Sequence, residues 1–560
     1  MLNVSITLQK RHKGRDHKMA MLPAGELSMK FEAAVNQNDF NRFRDDYKAF
    51  LAQYPSFNAA FSPVPTDLAV HSAIFGRTAF YLKQTNDLQA KDLLAEGRAA
   101  SAVFARLSVE ERLGFLKVLE AKVKVQEQEI GLVISADTGK PVDLSVKEMA
   151  KGAEWFEFAY KNAEVQIGVK TAGDSRTVSR PLGVAQIIGA YNYPYALAIG
   201  GIVGALAAGN GVIVSAPLKA PNWVFPFMQA VEEAVQEFSA SAAAAGKPWA
   251  ADFAACARGL IQPSVGVNRN LTAEADIVHF VGGDVTGNII SKSRGTKPTI
   301  LEMGGSNVVA VMASALKDTT AEEIAATIYA GFAPATGQRC TAPRMLCAEE
   351  GAEDVVTALG RLAASGSHGI GNPFSKGTKM GPLVDRGAHQ KMDEAIALAH
   401  ELGATVYGGE KVSSQTVPQA NNENSFWVTP VVIDWAKADT TRAENSEKLK
   451  KLMGEEIFGP LLHIVPRAAN LDAAIAFTQK HDTHGLAGAI FSGDAIEVER
   501  YAGAVRVTSL SVNEGPKDRS PHGPHGHPGI RTIGGASHFT LYASESVVVT
   551  AKPKAHKLAA

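Results

Sequence analysis

The sequence predicts an α/β fold built on parallel sheets covered by helices on both faces. The 38 residues between Arg180 and Lys219 carry no charge and divide into apolar units of strand and helix length. Strand and helix signals then alternate to about residue 510, the pattern of repeated βαβ units. A length of 560 residues, at roughly 150 per domain, implies three or four domains rather than one core.

Each element follows from local pattern. The cluster Lys10, Arg11, His12, Lys13, Arg15 and Lys18 precedes no apolar run of signal-peptide length, so an unstructured basic arm is expected there. Residues 30–60 read as a polar helix, punctuated by Pro63 and Pro65. Between 89 and 165, Leu107, Leu113, Leu116 and Leu119 recur at helical spacing, and Gly139-Lys140-Pro141 interrupts the run. The charge-free stretch is long enough to suggest a membrane span, and Gly200 and Gly204 mimic a membrane packing motif. Asn192, Pro194 and Asn210 argue against one. They divide it into a strand at 184–189, a loop to 194, a helix at 196–208 stopped by Gly209-Asn210, and a strand at 212–214. Residues 239–251 are low in complexity and read as a loop or helix extension. A strand at 277–280 leads into a glycine turn, Gly282-Gly283 to Gly287, which opens a helix and presents N–H groups suited to a phosphate. No GxGxxG fingerprint occurs. An alternating strand is expected at 539–549.

Composition excludes several classes of function. Lys plus Arg (56) nearly equals Asp plus Glu (57), which leaves no basic field for nucleic acid or an anionic membrane. Three cysteines are too few for a disulfide framework, and fit a reducing, cytoplasmic setting.

Three side chains have the character of catalysts. Cys340 lies in the polar, glycine-bearing Gly337-Gln-Arg-Cys340, whereas Cys256 and Cys347 sit among aliphatics; thiol nucleophiles need such access. No second cysteine or histidine stands near Cys340 at zinc spacing, so no metal site is expected. Glu302 ends an apolar strand at Gly304-Gly305, where desolvation suits a carboxylate to general-base work or to a structural ion pair. Asn192 follows a strand in a Tyr-Asn-Tyr-Pro loop, placed either to donate to an oxyanion or simply to form the turn.

Taken together, these segments resemble the aldehyde dehydrogenase superfamily. The carriers are Pro181-Leu-Gly-Val184 through Ala190-Tyr-Asn-Tyr-Pro194, Ala205-Leu-Ala-Ala-Gly-Asn210, Leu301-Glu-Met-Gly-Gly305, Gly337-Gln-Arg-Cys340 and Glu455-Glu-Ile-Phe-Gly-Pro460. Gly139-Lys-Pro141, Met380-Gly-Pro382 and Gly485-Leu486 extend the likeness over residues 95–550, leaving the first 90 unmatched. The resemblance implies two doubly wound parallel-sheet domains with a small β extension for oligomerisation. A dinucleotide-binding domain would span 95–163 and 183–301, a catalytic domain 302–514, and oligomerisation strands 164–182 and 538–552, behind a partly disordered, then helical extension over 1–94. It further implies a homodimer or homotetramer.

The implied reaction is oxidation of a small-molecule aldehyde to a carboxylate, with NAD or NADP as cofactor. Cys340 attacks the carbonyl, Asn192 and the Cys340 N–H hold the oxyanion, and Glu302 activates water against the thioester. Glu456 would hold the nicotinamide ribose, Phe458 would pack near the ring, and Gly282, Gly283 and Gly287 would approach the pyrophosphate. Ile188, Ser215 and Lys219 complete the expected cofactor set. The sequence departs from the family at Ser215-Ala-Pro-Leu218, where a Lys-Pro-Ser-Glu run is usual. Losing that acid, with Ser215 or Lys219 available to a 2′-phosphate, leans the expectation slightly to NADP. A loop with three histidines, 520–529, replaces the usual glycine-rich aromatic loop and is expected on the substrate side. Arg339 suggests an acidic or CoA-linked aldehyde, and Tyr191, Tyr193 and Tyr195 a bulkier one. The rival readings are a CoA-acylating enzyme and a non-catalytic protein of the same fold.

Overall fold

The structure, a computed structural model, describes residues 23–172, 175–366, 368–421, 426–465, 467–482, 484–516 and 535–549. The basic arm and the histidine loop at 520–529 lie outside them.

The N-terminal segment departs from expectation. Residues 30–60 do not form one polar helix; helices Ala24–Asn36, Phe40–Leu51 and Pro55–Ala60 replace it. Their aromatic residues face inward: Phe31, Phe43, Tyr47 and Phe57 are at most 1% exposed. Phe31 packs 4.9 Å from Phe43 and 5.1 Å from Phe374, between ring centroids. Polar and apolar residues are equally numerous here, but the apolar ones share a face, and burial follows the face. The Tyr47 hydroxyl donates to Asp137 at 2.7 Å. The chain then forms an antiparallel sheet, β1 (Phe61–Ser62), β2 (Leu68–Ser72) and β3 (Arg77–Leu82), in a segment expected to be helical.

Four helices follow between Asp87 and Ile167, the last running through Ile167 where an oligomerisation strand was expected to begin at 164. The strands are instead β4 (Lys170–Ala172) and β5 (Ser175–Pro181).

The charge-free stretch forms the predicted βαβ unit: β6 (Val184–Ile188), helix Ala196–Ala207 and β7 (Gly211–Ala216), with both strands wholly buried. Glycine spacing in that helix serves packing inside the protein, since Gly200 faces Trp155 and Gly204 faces Tyr542. Among the described residues no helix is long and apolar enough to cross a membrane. With β8 (Ile261–Val265), β9 (Ile277–Val281) and β10 (Thr299–Glu302) these strands make a parallel sheet ordered β10-β9-β6-β7-β8. The order reverses between β6 and β9, so a crevice opens at their carboxyl ends. Asn210, the helix stop, satisfies its whole amide: Nδ2 donates to Ala205 O and Tyr542 O, and Oδ1 accepts from the N–H groups of Leu182 and Gly183.

A second sheet holds β11 (Val308–Val311), β12 (Met345–Ala348), β13 (Thr405–Gly408), β14 (Val431–Asp434), β15 (Leu461–Ile464), β16 (Ala487–Phe491) and β17 (Ser509–Val512). Its order is β13-β14-β15-β12-β11-β16-β17, parallel except for edge strand β13. The chain passes between the sheets through Met303–Asn307, so Glu302 ends one sheet beside the start of the next. The final strand, β18 (Ala543–Val549), starts later than expected because Phe539–Tyr542 form a 3₁₀ turn; it pairs antiparallel with β5. The α/β class with two parallel sheets and a small β extension holds.

Candidate active site

One cavity of about 630 Å³ opens where the two sheets meet, at the carboxyl ends of β6 and β9. It is lined by Cys340, Glu302, Asn192, Glu456 and Phe458, by Gly282 and Gly283, and by Ile188 and Lys219. Residues such as Ile188 and Phe458, 270 positions apart in sequence, thus face one space, brought there by strand ends and the loops between elements.

Ser215 and Gly287 are not among the lining residues. Ser215 is fully buried in β7, where its hydroxyl accepts from Gln186 Nε2 at 2.8 Å; strand alternation points it away from the cavity. Gly287 lies inside helix Asp284–Arg294, and a Cβ there would meet Met303 Sδ at 2.5 Å, so the glycine permits close packing of the helix on the linker.

The Cys340 loop is held under tension. Ala335, Thr336 and Gly337 occupy consecutive left-handed conformations with φ of 54°, 56° and 64°. At Gly337 a Cβ would lie 2.2 Å from the Gly459 carbonyl oxygen, so only glycine fits. Non-glycine residues in this region cost roughly 1–2 kcal/mol each and need surrounding contacts to hold them. Arg344 supplies several, donating to the carbonyls of Gly337 (2.9 Å), Arg339 (3.0 Å) and Gly459 (2.8 Å). Asn307 supplies others: Nδ2 donates to Cys340 O at 2.6 Å and Ala342 O at 2.8 Å, while Oδ1 accepts from Ala487 N–H at 3.1 Å. Arg339 turns away from the cavity and donates to the Ala330 and Gly331 carbonyls at the end of helix Ala321–Phe332. Its guanidinium completes a helix C-terminus and does not face a substrate carboxylate.

The asparagine loop is fixed from behind. Asn192 Nδ2 donates to Gln338 O at 3.1 Å, two residues before Cys340, and retains a second amide hydrogen. Buried Lys140 donates to Asn192 O at 3.0 Å, pairs with buried Glu148 and lies 4.1 Å above the Tyr193 ring. Glu148 Oε1 in turn accepts from the N–H groups of Tyr195 and Ala196 at 2.9 Å, a carboxylate at a helix N-terminus. Tyr191 donates to Gln338 Oε1 at 3.1 Å.

At the other end Glu456 Oε1 accepts from Gly305 N–H at 3.4 Å, and a Cβ at Gly304 would strike its Oε2 at 2.1 Å. Burial raises the Glu456 pKa against the pull of Arg344. His484, just before β16, bonds Asp284, just after β9, at 2.5 Å, and that bond raises the histidine pKa. Gly283, N-cap of helix Asp284–Arg294, offers no side chain, and a Cβ on it would meet nothing within 4 Å. That uncapped helix start beside a cavity suits a diphosphate. Glu456 suits a ribose hydroxyl, so the residues present fit a nicotinamide dinucleotide. Among the described residues no cluster of His, Cys, Asp and Glu has the geometry to hold a metal.

Lys140, Asn307, Arg344 and Asp385 were not singled out in the sequence. Lys140 lay inside a noted motif; the other three carry no local signal, being single polar residues whose partners are distant.

A thiol, a carboxylate and an amide line one cavity at the switch point of a parallel sheet in an α/β fold. The chain belongs to the aldehyde dehydrogenase family, whose model matches residues 65–542, so the match begins earlier than the motifs at 95 and takes in β2 and β3. It is 29% identical over 465 residues to N-succinylglutamate 5-semialdehyde dehydrogenase of Chromobacterium violaceum, covering 80% of this chain and 85% of that one. It is 25% identical over 503 residues to 1-pyrroline-5-carboxylate dehydrogenase of Anoxybacillus flavithermus, covering 87% and 90%. Betaine aldehyde dehydrogenase of Staphylococcus aureus in complex with NAD+ shares the fold at a TM-score of 0.75 and 21% identity, covering 90% of this chain and 97% of that one. Glyceraldehyde-3-phosphate dehydrogenase of Methanocaldococcus jannaschii, complexed with NADP, does so at 0.72 and 19%, covering 87% and 99%.

Proposed function

We propose that this protein oxidises a small-molecule aldehyde to a carboxylate with NAD or NADP, by covalent catalysis at Cys340. The observation that carries the reading is the convergence of Cys340, Glu302 and Asn192 on one cavity with an uncapped helix start. The Cys340 thiolate adds to the aldehyde carbon, forming the S–C bond and placing the electron pair on oxygen. Asn192 Nδ2 and the Cys340 N–H then stabilise that oxyanion. A bound nicotinamide supplies the hydride acceptor. Cys340 is left as a thioester; Glu302 takes a proton from water, the hydroxide adds to the acyl carbon, and the C–S bond breaks to release carboxylate and thiolate. Glu302 on the same cavity favours water over CoA as acyl acceptor.

Neighbours of the same fold are complexed with NAD+ in one case and NADP in another, which supports the dinucleotide and leaves the choice open. Three free thiols fit a reducing, cytoplasmic compartment. The sheet β18-β5-β4 leaves outer edges that suit pairing with further copies in a homodimer or homotetramer.

Turnover with both cofactors against short, aromatic and carboxylated aldehydes, with and without CoA, tests the reading. Cys340→Ala abolishes oxidation while cofactor binding persists; Glu302→Gln accumulates an acyl-enzyme, visible as added mass on Cys340. Substantial turnover by Cys340→Ala overturns the mechanism.

A further inference from the structure

We propose that Asp385 sets the choice between NAD and NADP by occupying Lys219. The inference rests on the cofactor reading above. In doubly wound sheets the residues after the second strand meet the adenosine ribose, and an acid there binds its 2′-hydroxyl. Here that strand is β7, and the loop after it carries Leu218, 47% exposed, then Lys219. Both line the large cavity, so the site has an apolar residue and a cation where an acid would select NAD.

The cation is already engaged. Lys219 Nζ lies 2.6 Å from Asp385 Oδ2 and 5.1 Å over the Tyr191 ring. Asp385 comes from the other domain and also lines the cavity, as N-cap of helix Arg386–Glu401, accepting from Ala388 N–H at 3.0 Å. A second cavity, of about 380 Å³, shares Leu218, Lys219 and Asp385 with the first and adds Arg386 and His71. Lys391, on the large cavity, faces Glu455 at 4.0 Å. A 2′-phosphate reaching Lys219 must therefore displace a carboxylate and remain beside it, whereas a 2′-hydroxyl requires neither. The pair counters the lean to NADP that the loss of the usual acid suggests.

Asp385→Asn tests this cleanly, because asparagine caps a helix as well as aspartate does and only the charge is removed. Titrations following the fluorescence of bound NADPH and NADH read affinity without turnover. The expected result is NADPH binding about tenfold tighter in Asp385→Asn with NADH changed less than twofold, a gain that shrinks with added salt and disappears when Lys219→Met is added. An unchanged NADPH to NADH ratio in Asp385→Asn, or a gain that survives without Lys219, overturns the inference while leaving the cofactor reading intact. Failure of the unaltered protein to bind either dinucleotide overturns both.

Discussion

Replacing Asn307 by alanine isolates how the nucleophile is held. The side chain is fully buried and makes three hydrogen bonds to backbone, two of them to the carbonyls of Cys340 and Ala342. Alanine takes one hydrogen-bond partner from each of two carbonyls and one N–H. At about 1–2 kcal/mol for each of the three bonds, the loss is about 3–6 kcal/mol, a large part of the usual 5–15 kcal/mol of domain stability. Part is recovered if the loop relaxes, and relaxation moves the Cys340 backbone; a shift of about 1 Å at a reacting atom costs on the order of 10²-fold in rate. Urea unfolding reads the first effect and the pre-steady-state burst of reduced cofactor the second. Iodoacetamide labelling, read by peptide mass at Cys340, adds a third reading, since burial pushes the Cys347 thiol up to about 11 and also raises that of half-buried Cys256. An Asn307→Ala protein within 0.5 kcal/mol of the original that retains a full burst would refute the claim that this residue positions the nucleophile.

Further expectations follow from the same geometry. Ala335→Gly relieves one left-handed residue and raises stability by about 0.5–1 kcal/mol in thermal unfolding, while Gly337→Ala lowers it by more than about 2 kcal/mol by driving a Cβ into the Gly459 carbonyl. Tyr47→Phe removes a buried donor to Asp137 and costs about 1–2 kcal/mol, which ties the N-terminal helices to the folded body; an unaltered urea midpoint contradicts it. Acid unfolding has a defined sign. Burial lowers His279 to about 4 and His463 and His538 to about 3, so these rings bind protons more readily when unfolded. Their contribution is complete above pH 6.5 and falls away towards pH 4, by roughly 1.4 kcal/mol per group per pH unit. Asp137, raised to about 7 by burial, acts in the opposite sense, yet three rings outweigh one acid, and stability measured from pH 7 to 4 declines.

Much of the fold was legible in the chain. The absence of charge over 181–218, cut by Asn192, Pro194 and Asn210, specified a buried βαβ unit, because strand and helix lengths and their stops are local properties of the backbone. Cys340, Glu302 and Asn192 each sit in a segment with a weak local signal, and they became a set, joined by Glu456, only through the ordered motifs that resemble a family. Direction and partnership were not local. Ser215 and Lys219 are four residues apart, yet one is sealed in a sheet and the other faces the cavity. Arg339 adjoins the nucleophile and points to a helix end instead of a substrate. The phenylalanines of residues 31–57 looked like parts of a polar helix until folding set them against Phe374. Asn307, Arg344, Lys140 and Asp385 act on partners up to 180 positions away, and which distant groups a buried side chain meets depends on how whole layers pack, information that no stretch of neighbouring residues contains.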